Sequence, residues 1–188
     1  MGIRHSVGQD FTPKDGTLWF TDNQTDGMGD GIPPGELNRI TKMGQDFGYP
    51  FWNGHVKVAG SAAAPDLKNL PEPAGAVFPQ IEFPAHQAQL GMTFYTGKMF
   101  PPAYQNTMFI AMHGSWNKTN KQGYNVMQVS LDAKGVPTMK PFLEGFLTDP
   151  KADPPMWGRP VDVLVMKDGA LLVSDDYNGI VYRISYAQ

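Results

Sequence analysis

One eight-residue pattern occurs twice, near opposite ends of the chain, and it constrains the fold more than any other feature. Asp15-Gly16-Thr17-Leu18-Trp19-Phe20-Thr21-Asp22 lies over Asp168-Gly169-Ala170-Leu171-Leu172-Val173-Ser174-Asp175. In both copies Asp-Gly separates two apolar runs, Gly8 to Thr12 from Thr17 to Thr21 and Val161 to Met166 from Ala170 to Ser174. An Asp-Gly step between apolar runs is a strong hairpin signal. A looser copy lies between them. Gly91 to Tyr95 is its first strand, a longer turn passes through Phe100-Pro101-Pro102-Ala103-Tyr104, and Thr107 to Met112 is its second. Further strands follow each copy, at Glu36 to Thr41, Tyr124 to Leu131 and Ile180 to Tyr186, with Val136 to Leu143 as a fourth strand of the middle unit.

Repeated antiparallel meanders of three or four strands are the signature of propeller blades. The expected class is therefore all-β: a β-propeller of four-stranded antiparallel blades. The units span about 1–52, 89–146 and 156–188, and a long loop excursion covers 53–88. Composition agrees: Gly 21 and Pro 17 in 188 residues mean frequent turns, and no amphipathic helix is apparent. Three blades do not close a ring, since propellers have roughly four to eight. The expectation is a piece of a larger ring, or a chain that completes its ring by association.

Several function classes are excluded. With no cysteine there is no disulfide, thiolate catalysis or Cys-ligated zinc. A net charge of −3 without a basic stripe argues against nucleic acid. No apolar run is long enough to span a membrane, and the first residues carry no signal-peptide core.

Three groups of residues carry chemistry. The turn from Thr21 to Gly31 holds Asp22, Asp26 and Asp30 among glycines, which suits a hard cation such as calcium. As an EF-hand it fails, because Pro33 stands where a bidentate Glu is required. The bland alternative is a solvated Asp/Gly turn. Next, His113-Gly114-Ser115-Trp116-Asn117 follows a strand end; His113 is a candidate base or donor and Trp116 a stacking surface for a planar ligand, although no triad partner is placed by spacing. Finally, Arg4 and Arg159 each precede the first strand of a unit. Equivalent placement predicts an anion pocket at one end of the propeller axis. His55 and His86 receive no role.

Gly2-Ile3-Arg4-His5-Ser6-Val7-Gly8, Leu18-Trp19-Phe20-Thr21-Asp22-Asn23, and Glu36-Leu37-Asn38-Arg39 running to Phe47-Gly48-Tyr49-Pro50 resemble the pyrroloquinoline quinone (PQQ)-dependent soluble glucose/sorbosone dehydrogenase family. His113 to Asn117, Gly158-Arg159-Pro160-Val161-Asp162 and the end from Leu172 to Tyr186 resemble its L-sorbosone dehydrogenase-like branch, in its C-terminal portion. The resemblance implies a six-bladed propeller, about half of it in this chain, that binds PQQ and calcium. It further implies oxidation of a sugar or sugar aldehyde, electrons passing to an acceptor, and a periplasmic or secreted location. Arg4 matches the catalytic arginine that contacts PQQ. His5, where the family has Asn, His113, near a cofactor lysine, and Arg159 match further PQQ contacts. Gln24 and Thr25 match the residues whose backbone carbonyls hold calcium, with Gln24 in place of the family's usual Gly. The family's base histidine precedes Gly2-Ile3-Arg4 and aligns with none of the four histidines here, so the chain alone is expected to be inactive. Two other classes compete: a non-catalytic propeller module that binds through its loops and open edges, and, less supported, a calcium-dependent lactonase.

Overall fold

A computed structural model describes residues 1–58 and 65–187. The chain begins with β1 (Ser6–Phe11), β2 (Leu18–Asp22) and β3 (Gly35–Ile40), followed by a two-residue-stranded hairpin, β4 (Trp52–Asn53) and β5 (Val56–Lys57). A 3-10 turn over Pro65–Asn69 leads to β6 (Ile81–Phe83), which returns to pair with β3. The middle unit contributes β7 (Gln89–Phe94), β8 (Met108–Met112), β9 (Asn125–Leu131) and β10 (Pro137–Leu143), and the last contributes β11 (Pro160–Val165), β12 (Leu171–Asp175) and β13 (Ile180–Ile184).

These strands form antiparallel sheets in the orders β1-β2-β3-β6, β10-β9-β8-β7 and β11-β12-β13, beside the β4-β5 hairpin. The all-β meander expectation is met. The boundary of the first unit differs: it does not end near residue 52, because β6 from the supposed loop excursion is its outer strand. Three residues are too few to show alternation, and Pro-rich sequence surrounds them. The Ser61-Ala62-Ala63-Ala64 stretch of that excursion lies outside the described residues.

The inner strands explain how the sheets stand together. Strand β7 packs against both β1 and β11. A Cβ on Gly8 would strike the Leu90 carbonyl, and one on Gly91 would strike the Asp162 side chain. Inner strands approach this closely only because those positions lack a side chain. Strand β8 is buried along its whole length and serves both sides. Its alternate residues Met108, Ile110 and Met112 join Trp19, Leu37 and Phe83 in one apolar cluster, while Phe109 and Ala111 join Tyr95, Val163 and Leu171 in another. A period of two thus places one strand's side chains in both inter-sheet cores. Polar staples add to this. The Thr21 hydroxyl donates to the Leu90 carbonyl at 2.9 Å, and Tyr95 OH donates to the Gly169 carbonyl at 2.7 Å.

Candidate functional site

The repeated Asp at the end of the second strand builds the site. Asp22 accepts the backbone N–H of Arg4 at 3.0 Å and of His5 at 2.6 Å. Gln24 Nε2 adds a third donor at 3.1 Å. The carboxylate thus fixes the residues that enter β1, as a capping acceptor does for chain ends elsewhere. The Arg4 guanidinium then donates through Nη1 to the Asn23 carbonyl at 3.0 Å. Burial pushes the Asp22 carboxyl above the usual carboxylate range, against the lowering influence of those donors.

Arg4, His5, Asn23, Gln24 and Gln89 line a cavity of about 200 Å3, with Trp116 at its rim. Trp116 is 68 % exposed, and an exposed indole is a stacking surface for a planar ligand. Thr25 is fixed from below: its N–H donates to Asn53 Oδ1 at 3.0 Å. Behind that wall lies Glu36, 1 % exposed, accepting from Asn38 Nδ2 at 2.7 Å and from the Gly54 N–H. Burial, reinforced by Asp22 and Glu82, pushes Glu36 up to about 7 despite these bonds.

Arg159 is placed differently from expectation. Strand pairing sets Ser6 against Asp22 and Pro160 against Asp175, so the repeat counterpart of Arg159 is His5, one residue on from Arg4. The Arg159 N–H donates to Asp175 at 3.0 Å, repeating the His5–Asp22 bond. Its guanidinium donates to the carbonyls of His113 and Gly114, each at 3.2 Å, and lies over the Tyr124 ring. It lines a second cavity with Tyr124 and Lys121, and Trp116 borders both cavities. Arg4 and Arg159 thus border two open cavities that meet at Trp116. His113 Nε2 pairs with Asp176 at 2.9 Å, across to the last sheet.

Sequence reading missed His86. Its side chain is 5 % exposed, its Nε2 lies 2.8 Å from the Gly29 carbonyl and its Nδ1 3.5 Å from Asp26. It takes a left-handed backbone with φ of 64° and belongs to the wall of the Arg4 cavity. No local pattern announces this, because the partners lie in a turn some 60 residues earlier (|i−j| = 57). The same turn is held from a third side: Asn117 Nδ2 donates to Asp26 at 2.9 Å and the Lys118 ammonium to the Asp30 carbonyl at 2.8 Å. The Asp26 carboxylate, and the Asp30 carboxylate through the Thr119 N–H, are thus occupied by protein donors. Among the described residues no cluster of three or more His, Asp or Glu side chains could hold a metal ion. Convergence of this turn's carboxylates on a cation, and the lactonase reading that needs it, lose their basis. Backbone carbonyls are untouched by that result.

The family profile described as TrAA12-like matches residues 72–187. A curated relative from Borreliella burgdorferi, described as an uncharacterized protein, is 41 % identical over 190 residues, covering 98 % of this chain and 48 % of its own length. The chain spans about half the length of that relative. Among solved structures, the calcium structure of a Trichoderma reesei Carbohydrate-Active Enzymes Family AA12 protein has a TM-score of 0.73 at 25 % identity, covering 97 % of this chain and 52 % of that one. The holo pyranose dehydrogenase PQQ domain from Coprinopsis cinerea has a TM-score of 0.67 at 20 % identity, covering 98 % and 54 %, and bears on the fold alone.

Proposed function

The chain belongs to the TrAA12-like family, whose structural relatives are PQQ-dependent sugar dehydrogenases, and on that premise we propose that it forms part of a PQQ- and calcium-dependent dehydrogenase of sugars or sugar aldehydes. In this reading its sheets are about three of six propeller blades, divided as the three units above with the first extended to β6. The observation that carries the proposal is the anchoring of Arg4 and His5 on the buried Asp22 at the edge of a polar cavity.

The residues present fit the groups. Gln24 Oε1 is buried without a partner, and among the described residues no hydrogen bond reaches the carbonyls of Gln24 or Thr25. A hard cation takes just such neutral oxygens. The Arg4 guanidinium spends one N–H on Asn23 and keeps the rest for an anionic oxygen. When bound, PQQ supplies the two-electron acceptor and calcium polarises it; the protein's part is orientation and electrostatics. Arg4, its backbone tied to Asp22 and its side chain to Asn23, is a preorganised donor for charge that develops on an oxygen. His5 is the neighbouring contact. Arg159 and His113 contact carboxylates beyond Trp116, and Trp116 covers a planar ring. The cavity is smaller than the roughly 300–1,000 Å3 usual for ligand sites, so the rest of the wall, including the base, comes from outside these residues. The substrate and electron acceptor bind the assembled protein, which is periplasmic or secreted, and this chain alone is inactive.

Titrating PQQ into the chain with and without calcium, followed by the quinone absorbance, tests this. Saturable, calcium-dependent binding without sugar-dependent dye reduction is expected. Absence of binding overturns the cofactor assignment, and turnover by the chain alone overturns the missing base.

A second reading, a non-catalytic module that associates through its edges, is favoured by one observation. Phe11, Leu164 and Val181 are exposed on β1, β11 and β13. Sedimentation over a concentration series separates them: self-association without PQQ binding supports the module.

A further inference from the structure

At the opposite end of the first two sheets, away from Arg4, lies a cavity of about 480 Å3. Its walls are the β1–β2 turn, the β9–β10 turn and the end of the β7–β8 connection, with Trp19 and Arg39 between them. Trp19 and Arg39 are cross-strand partners, and the guanidinium lies over the indole 5.5 Å from its centroid. Trp19 is fully buried, yet its Nε1–H has no hydrogen-bond partner, and neither has the buried Nε–H of Arg39. Unpaired buried donors are rare in folded proteins and call for a partner.

Two carboxylates line the same cavity and do not pair with Arg39. Each is turned onto its own backbone: Asp15 Oδ1 accepts the Thr17 N–H at 3.0 Å, and Asp132 Oδ1 accepts the N–H groups of Lys134 and Val136, both at 2.8 Å. Lys14 and Lys134 complete a set of three cations around the opening. Three cations against two carboxylates leave one net positive charge among the lining residues, and a guanidinium fork is matched by the two oxygens of a carboxylate.

We propose that this cavity is a second ligand site, taking a small organic carboxylate of about monosaccharide size through Arg39. The volume exceeds the needs of a bare inorganic ion and falls in the range of ligand pockets. The proposal is independent of the cofactor reading, because none of these residues lines the Arg4 cavity.

Calorimetric titration with gluconate tests it, with glucose as the same-sized neutral control and acetate as the bare carboxylate. Saturable gluconate binding is expected, with glucose silent and acetate weaker. Arg39→Ala should lower the affinity by about tenfold or more, in line with loss of a charge-assisted bond. Arg39→Lys keeps the charge over Trp19 but loses the fork, and should fall between. Each variant's melting curve checks folding, and if Arg39→Ala does not fold, Arg39→Lys carries the test. Equal binding of glucose and gluconate, unchanged affinity in a folded Arg39 variant, or no saturable binding would overturn it.

Discussion

Asp22 and Asp175 occupy the same position in two repeats, and their environments drive them in opposite directions. Both are almost fully buried, at 0 % and 2 % exposed, and both accept the N–H of the residue entering the sheet's first strand. Asp22 has three donors, from Arg4, His5 and Gln24, and burial dominates, raising its pKa. Around Asp175 burial also acts upward, yet the donors win and its pKa is lowered. Arg159, Tyr177 and Asn178 donate backbone N–H groups to it, joined by Asn178 Nδ2 and Tyr182 OH. A repeated residue is therefore not a repeated function. The last repeat uses its carboxylate as a satisfied structural anchor. The first holds its carboxylate with fewer donors and close enough to a second raised acid, Glu36, to push that acid further up.

The largest expected effect tests that contrast directly. Asp175→Asn should cost about 3 kcal/mol, because several donors lose a charged acceptor, and lower the melting temperature by roughly 6–12 °C. Asp22→Asn should cost less than Asp175→Asn, since burial already opposes the Asp22 charge and fewer donors hold it. Equal losses on thermal melting would remove the distinction.

Glu36→Gln sharpens the same contrast through pH. A carboxyl raised from 4.5 to about 7 binds its proton more tightly folded than unfolded. Stability should therefore fall as pH rises from about 4.5 to about 7, by roughly 3 kcal/mol, and level off above. The Gln variant should remove that slope. Asp175, lowered instead, should contribute stability above 3.8 that is lost as pH falls below it. Melting temperatures from pH 3 to 8 would expose either sign if wrong.

A smaller difference is expected between the arginines. Arg159→Ala loses two carbonyl bonds and the contact with Tyr124, and should cost about 1–2 kcal/mol. Arg4→Ala loses one side-chain bond, and should cost under about 1 kcal/mol while weakening PQQ binding more than Arg159→Ala does. The smallest effect belongs to Asp176→Ala. Its pair with His113 is exposed on the acid side, so denaturant melts should shift by no more than about 0.5 kcal/mol.

Much of the fold was legible because the Asp-Gly turns and period-two runs are local signals. Strands β2 and β12 fall within a residue of where the repeat puts them. Strand β6 was not, because three residues among prolines owe their state to pairing with β3. At the site, Arg4, His5 and Gln24 line one cavity, brought together by the β1–β2 pairing that sets Ser6 against Asp22. The pairing of Arg4 with Arg159 failed by one residue. Strand register sets His5, not Arg4, at the place Arg159 holds, so position before the strand did not conserve register. His86 and Glu36 became visible only through contacts distant in sequence, with Asp26 and Gly29 for one and Gly54 for the other.

In the proposed function the cofactor rests first on Arg4 at the end of the first repeat, with Arg159 reaching it from the far side of Trp116. A crystal structure of the chain with PQQ and calcium tests it most directly. The account predicts quinone density against Arg4 and Trp116, with a cation on the carbonyls of Gln24 and Thr25. Density on Arg159 alone, with the Arg4 cavity empty, would contradict it.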